Sequence, residues 1–221
     1  MDLATQSWHL GVSSGRGSPL HSLAVIGHAA VQARIHRIGR RLESLVARLR
    51  SHGFEFDRPD NVLPGPEVNA QGAILRIEGS VGRLPQALKL FWLEVGSVDL
   101  TGSHPEWDEC EYLDQLIVFP PSVALEELDE FMADRGNRLK VDYPYAVPIA
   151  PDIYHKANVS GGMPYTIAVP AETDDPFVDN ARPVHTFLGH IECALEHAGY
   201  PGLAKCPNHT WPVEILRPDD G

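Results

Sequence analysis

Ile77-Glu78-Gly79-Ser80-Val81-Gly82-Arg83-Leu84-Pro85-Gln86-Ala87-Leu88-Lys89-Leu90-Phe91-Trp92-Leu93-Glu94-Val95-Gly96 holds two helical signals back to back. Ala70, Ile74, Ile77 and Val81 recur at intervals of three and four, which puts them on one helical face, and Gly82 ends the run. Pro85 then opens a second helix, because its fixed φ suits a first turn and its missing N–H is not needed there. Leu88, Phe91, Trp92 and Val95 form the apolar side of that helix, and Gly96 is its stop.

Working outward, residues 25–51 carry a longer helical pattern. Val31, Ile35, Ile38, Leu42, Leu45, Val46 and Leu49 share one face, with Gly53 where a C-terminal cap belongs. Phe54-Glu55-Phe56 alternates like a short strand, and a connector with Pro59, Pro64, Gly65 and Pro66 follows. Residues 98–100 and 116–119 read as strands. Ser122 is the expected N-cap of a helix to about residue 134, with Leu125, Leu128, Phe131 and Met132 facing inward. Residues 146–149 read as an edge strand because of Pro148, and residues 165–169 as a cleaner one. A last helix is expected over residues 184–197, with Phe187, Leu188, Ile191 and Leu195 on one side. Helices and strands arrive in blocks, without a sustained strand–helix–strand rhythm. The expected class is therefore α+β, with helices packed on a mostly antiparallel sheet.

The expected organisation is a flexible tail over residues 1–22, one domain over 23–203, and an extended tail over 204–221. The first segment is rich in turn formers, among them Gly11, Ser13, Ser14, Gly15, Gly17, Ser18 and Pro19. Residues 23–33 have the apolar look of a leader core. Asp2, His28, Gln32 and Arg34 argue against one, so no secretory leader is expected.

The 221 residues are enough for a full hydrophobic core, and 43% apolar with 22% charged residues excludes wholesale disorder. Lys plus Arg is 18 against 30 Asp plus Glu, a net charge of −12. That balance opposes binding to nucleic acid or to an anionic membrane, since phosphate affinity comes from basic side chains. Within residues 34–50, however, six Arg stand against one Glu, so this segment carries +5 and the remainder −17. The arginine face is read either as a docking surface for something acidic or, the preferred reading, as a plain solvated helix face or one lying against the chain's own acidic body. Three cysteines, Cys110, Cys193 and Cys206, form no evident disulfide framework and suit a reducing, cytoplasmic setting.

Two polar clusters hold the candidate site residues. In residues 151–162, Asp152, His155, Lys156, Asn158 and Ser160 precede Gly161-Gly162. Asp152 and His155 can share a proton, and the glycines let backbone N–H groups turn toward a ligand. A nucleophilic reading assigns Ser160, His155 and Asp152, but the three crowd into nine residues without a nucleophile elbow. The other readings are a polar turn and a non-catalytic binding surface. In residues 101–107, His104 and Trp107 follow a predicted strand, where Trp107 is either an exposed partner anchor or a cap on the edge of the core. Strand ends on one sheet edge would join the two loops into a single patch. Cys206 and His209 have the spacing of half a zinc site without a second half, and His185, His190 and His197 are wrongly spaced for one ion. No phosphate loop or dinucleotide fingerprint is present, so no metal and no cofactor is expected.

The segment quoted at the outset resembles the SUKH (Smi/Knr-like) superfamily: Glu78, Gly82, Leu84, Pro85, Phe91 and Gly96 match its pattern in order. Gly96-Ser97-Val98-Asp99 departs from the Asn-Gly-Gly type of turn found in many members. The likeness extends over residues 54–203. It implies an α+β domain that binds proteins without catalysis, as an immunity protein covering a toxin or as a regulatory module. The implied partner is a protein, a basic toxin domain included, and opposite charge would speed its association. The alternative is a small-ligand-binding or hydrolase-like enzyme using the loop at 152–162.

Overall fold

The structure is a computed structural model that describes residues 19–107, 110–138 and 145–219. The expected tail over residues 1–22 lies outside them except for its last four residues, which are helical: α1 runs Pro19–Ser51. On α1, Ile35, Ile38, Leu42, Leu45 and Leu49 are fully buried. This stripe packs on α3 (Gln86–Glu94) and α6 (Phe187–Glu196). At about 25 cal/mol per Å² of apolar area, such a stripe is what holds a helix whose other face is charged.

That other face settles onto the chain's own acids. Arg34 bonds Asp175 at 3.0 Å and Glu192 at 2.5 Å, and Arg37 approaches Glu192 at 3.5 Å. Arg41 bonds Glu196 at 2.7 Å, and Arg48 reaches Asp219 and the carbonyls of Ile215 and Arg217. Arg34 holds the Glu192 carboxyl below its usual range, more than offsetting the burial that would raise it. Arg34, Arg37, Arg41 and Arg48 thus lie against the chain's own acids, while Arg40 and Arg50 stay exposed.

The strands pair antiparallel, as three two-stranded units. β1 (Glu55–Phe56) pairs with β3 (Gly102–Ser103), β2 (Val98–Asp99) with β4 (Ile117–Val118), and β5 (Tyr145–Ala150) with β6 (Tyr165–Val169). Phe119 N–H donates to the Ile149 carbonyl at 2.7 Å, which sets the end of β4 beside β5. α2 (Ala70–Val81) and α4 (Pro121–Arg138) pack together, and α4 covers β5. The α+β class holds, with short pairs in place of one continuous sheet.

Two local devices shape the region beside the site. Glu78, near the end of α2, accepts Leu84 N–H at 3.0 Å and Lys89 Nζ at 2.9 Å, which closes the turn into α3. Burial raises the Glu78 carboxyl, but these donors outweigh it and hold it below its usual range. Gly96, with φ of +93°, lies so close to the connector that a Cβ there would sit 2.0 Å from the Gly65 carbonyl oxygen. Only glycine fits, and the approach fixes the Pro64-Gly65-Pro66 segment over the start of β2.

Several expectations need correction. Ser122 does not cap α4. The Glu67 carboxylate accepts both its N–H and its hydroxyl, so the anion at this helix end comes from the connector. The last helix starts at Phe187, where Thr186 accepts Gly189 N–H as N-cap, rather than at residue 184. The C-terminal segment is no extended tail. Leu203, Trp211 and Leu216 are buried, and α7 (Val213–Leu216) packs on α1. Cys110 and Cys206, 96 residues apart, form a disulfide, which overturns the reading of unpaired cysteines. Spacing along the chain says nothing about two thiols that only the fold brings together. Cys193 is free, and burial raises its thiol. Among the described residues, no helix is long and apolar enough to cross a membrane.

Candidate functional site

A half-open groove of about 760 Å³ opens among the described residues. One wall is the connector, from Asp57 to Val68. The floor is Ser97, Val98 and Asp99 of the β2 segment with Gln115, Ile117 and Val118 at β4. The far wall is Pro120, Ser122 and Val123 at the start of α4, together with His155, Lys156 and Asn158. The volume falls in the range of pockets that hold a ligand or a short stretch of a partner.

α5 (Ile153–Lys156) carries the second polar cluster to this groove. Asp152 is its N-cap, accepting Tyr154 N–H at 2.8 Å and His155 N–H at 3.4 Å, and it also bonds the His155 ring at Nδ1. Burial raises the Asp152 carboxyl, but the His155 ring and the two amides outweigh it and hold it low. Gly162 is required here: a Cβ would sit 2.2 Å from the Asp152 carboxylate. The acid, the histidine and the glycine thus build a helix end.

Lys156 turns inward. Its ammonium donates to Asp114 at 2.8 Å, and Asp114 also accepts the Tyr165 hydroxyl at 3.0 Å. The Lys156 ammonium lies 4.4 Å from the centre of the Tyr165 ring. Burial pushes the lysine down from its usual range against the pull of Asp114, and burial followed by Asp114 pushes Tyr165 up. His190 meets Tyr165 edge to face, and burial, reinforced by Lys156, pushes its imidazole down to about 4. Gln115 Nε2 donates to the Lys156 carbonyl at 2.9 Å, tying the groove floor to α5.

Of the seven sequence-derived candidates, His155, Lys156 and Asn158 line the groove. Asp152 sits behind it as a cap, 4% exposed. Ser160 is exposed outside it, and among the described residues no hydrogen bond joins it to His155. The first loop contributes Thr101, not His104 or Trp107. His104 stacks on Trp107 at 4.1 Å and bonds the His52 carbonyl at 2.9 Å. Trp107 packs against Phe54 and Trp211. It is the cap on the core's edge, so the expected patch joining Trp107 to His155 does not form. Cys206, committed to Cys110, leaves the half zinc site with His209 unbuilt.

Sequence reasoning missed Ser97, Asp99, Gln115 and the connector residues Asp57 and Glu67. The available signal was Asp99, an acidic residue in the middle of the strand expected over residues 98–100. Comparison with protein-family models, with curated proteins and with solved structures finds no match to this chain.

Proposed function

We propose that this chain is a non-enzymatic, SUKH-like protein-binding module that seats part of a partner protein in the groove between the connector and α5. The observation that carries this reading is the groove itself: about 760 Å³, half open, with walls from four separate chain segments. Its most reactive polar side chains are already engaged, His155 with Asp152 and Lys156 with Asp114. A wall held this way is preorganised, which favours binding over proton transfer. With Arg34, Arg37, Arg41 and Arg48 folded onto the chain's own acids, the net charge of −12 favours a basic partner, a toxin domain in the immunity role.

The test uses three baits: the native chain, Val123→Trp, which fills the groove, and Leu75→Trp, which alters an exposed site on α2. One protein should be held stoichiometrically by the native and Leu75→Trp chains and lost from Val123→Trp at an unchanged melting temperature. Retention by Val123→Trp removes the groove as the site. Absence of any stoichiometric partner removes the binding reading and favours chemistry at the 152–162 loop.

A cytoplasmic site of action belongs to the proposal, and it requires the Cys110–Cys206 pair to be reduced there, since such bonds seldom persist in the cytosol. The mass of the protein isolated with thiol-blocking reagent decides this. Blocked thiols at both positions keep the location, and an intact bond moves it to an oxidising compartment.

A further inference from the structure

The groove floor holds polar atoms that the fold leaves unused. Ser97 is only 7% exposed, yet its hydroxyl has no hydrogen-bond partner among the described residues. Gln115 is 8% exposed and spends its amide nitrogen on the Lys156 carbonyl, so its Oε1 is left over. Asp99 Oδ1 takes both the N–H, at 3.0 Å, and the hydroxyl, at 2.5 Å, of Thr101, which leaves Oδ2. These atoms are not sealed in the core: their residues line the open groove, where the atoms can accept from a ligand. Three acceptors that no protein donor uses thus share the floor of one groove, which suits a ligand rich in donors.

The charge around them is net negative. Asp57, Glu67 and Asp99 line the groove against the single guanidinium of Arg58, with Lys156 already neutralised by Asp114. We propose that Ser97, Asp99 and Gln115 bind the cationic head of a basic side chain carried on an extended segment of the partner protein. This rests on the binding reading above. Arginine fits best, because its fork of donors meets several acceptors at once, whereas an ammonium is a point charge. One such head fills a fraction of the volume, and the remaining length, between the Pro64–Pro66 and Pro120 walls, accommodates the flanking backbone of the segment.

The test is an amide-shift titration of the full chain by NMR. The probes are acetyl-Gly-Gly-Arg-Gly-Gly-amide, the same peptide with Glu for Arg, and agmatine as a free guanidinium. The arginine peptide should shift Ser97, Asp99 and Gln115 and bind more tightly than agmatine, while the glutamate peptide shifts none of them. Asp99→Asn keeps the acceptor for Thr101 and removes the charge. It should weaken the arginine peptide about tenfold, as a lost charge-assisted hydrogen bond does. Ser97→Ala is the second variant, should Asp99→Asn fail to fold. Equal shifts from the arginine and glutamate peptides overturn the cation site, and agmatine binding as tightly as the peptide overturns the peptide segment. Undiminished binding by the folded variant overturns the residue assignment. Any of these, alongside partner capture that Val123→Trp still abolishes, leaves the binding module standing without this site.

Discussion

Lys156 Nζ donates to Asp114 Oδ1 across 2.8 Å with both side chains almost wholly withdrawn from solvent. The pair is the hinge between site and core, since Lys156 lines the groove while Asp114 also holds the Tyr165 hydroxyl of β6. Removing one member leaves the other charge buried and unpaired. Lys156→Met should therefore cost about 3–5 kcal/mol in denaturant unfolding. Adding Asp114→Asn, which removes the orphaned charge and tolerates the positive φ of 51° there, should recover more than half of the loss. No recovery in the double variant would mean that the pair acts by packing alone.

His190 should make the fold acid-sensitive. It is neutral in the folded state, pushed down to about 4 by burial and by Lys156, against 6.5 when unperturbed. Between these values the unfolded chain binds the additional proton, so stability falls as pH drops from 6.5 toward 4 and is retained above 6.5. The full span is worth about 2–4 kcal/mol. Asp152, Glu78 and Glu192, held below their usual range, add their losses at lower pH. His190→Gln should flatten the melting-temperature profile above the carboxylate range. An unchanged slope would assign the acid sensitivity elsewhere.

The Cys110–Cys206 bond closes a loop of 96 residues and ties the C-terminal segment to the stretch after Trp107. Cys206→Ser, or reduction with a phosphine, should lower stability by about 2–4 kcal/mol, because the unfolded chain gains the freedom the bond removes. Equal denaturant midpoints for the oxidised and reduced chains would show that packing of Trp211 and Leu216 secures the segment by itself.

Trp107 sits in an aromatic cluster with Phe54 and Trp211, so Trp107→Ala should lower stability by about 2–3 kcal/mol. His104→Ala, which loses two exposed hydrogen bonds and the stack, should cost about 1 kcal/mol. Thermal melting of the two variants orders them. A Trp107→Ala chain with native stability and lost partner capture would restore the surface-anchor reading.

Most of the helices were legible because their signals are local. The stripe from Ile35 to Leu49, the Gly82 stop and the Pro85 start each depend on residues within a turn or two, and α2, α3 and β6 form where those signals put them. Boundaries moved where a competing partner intervened. Glu67 took over the cap expected of Ser122, and Thr186 delayed α6 to Phe187. The candidate site was half legible: His155, Lys156 and Asn158 reach the groove, whereas Ser97, Asp99 and Gln115 carry no local mark of their role.

By itself, then, the sequence determined the α+β class, the helix faces and the net acidity, since periodicity, caps and charge are written in neighbouring residues. Only the tertiary structure decided what those elements meet. Arg34 and Glu192 lie 158 positions apart, Cys110 and Cys206 96, and Lys156 and Asp114 42. It likewise decided that Trp107 faces the core and that the connector roofs a groove over Ser97. Such pairings follow from burying several apolar faces at once, and that shared constraint has no signature in any single stretch of chain.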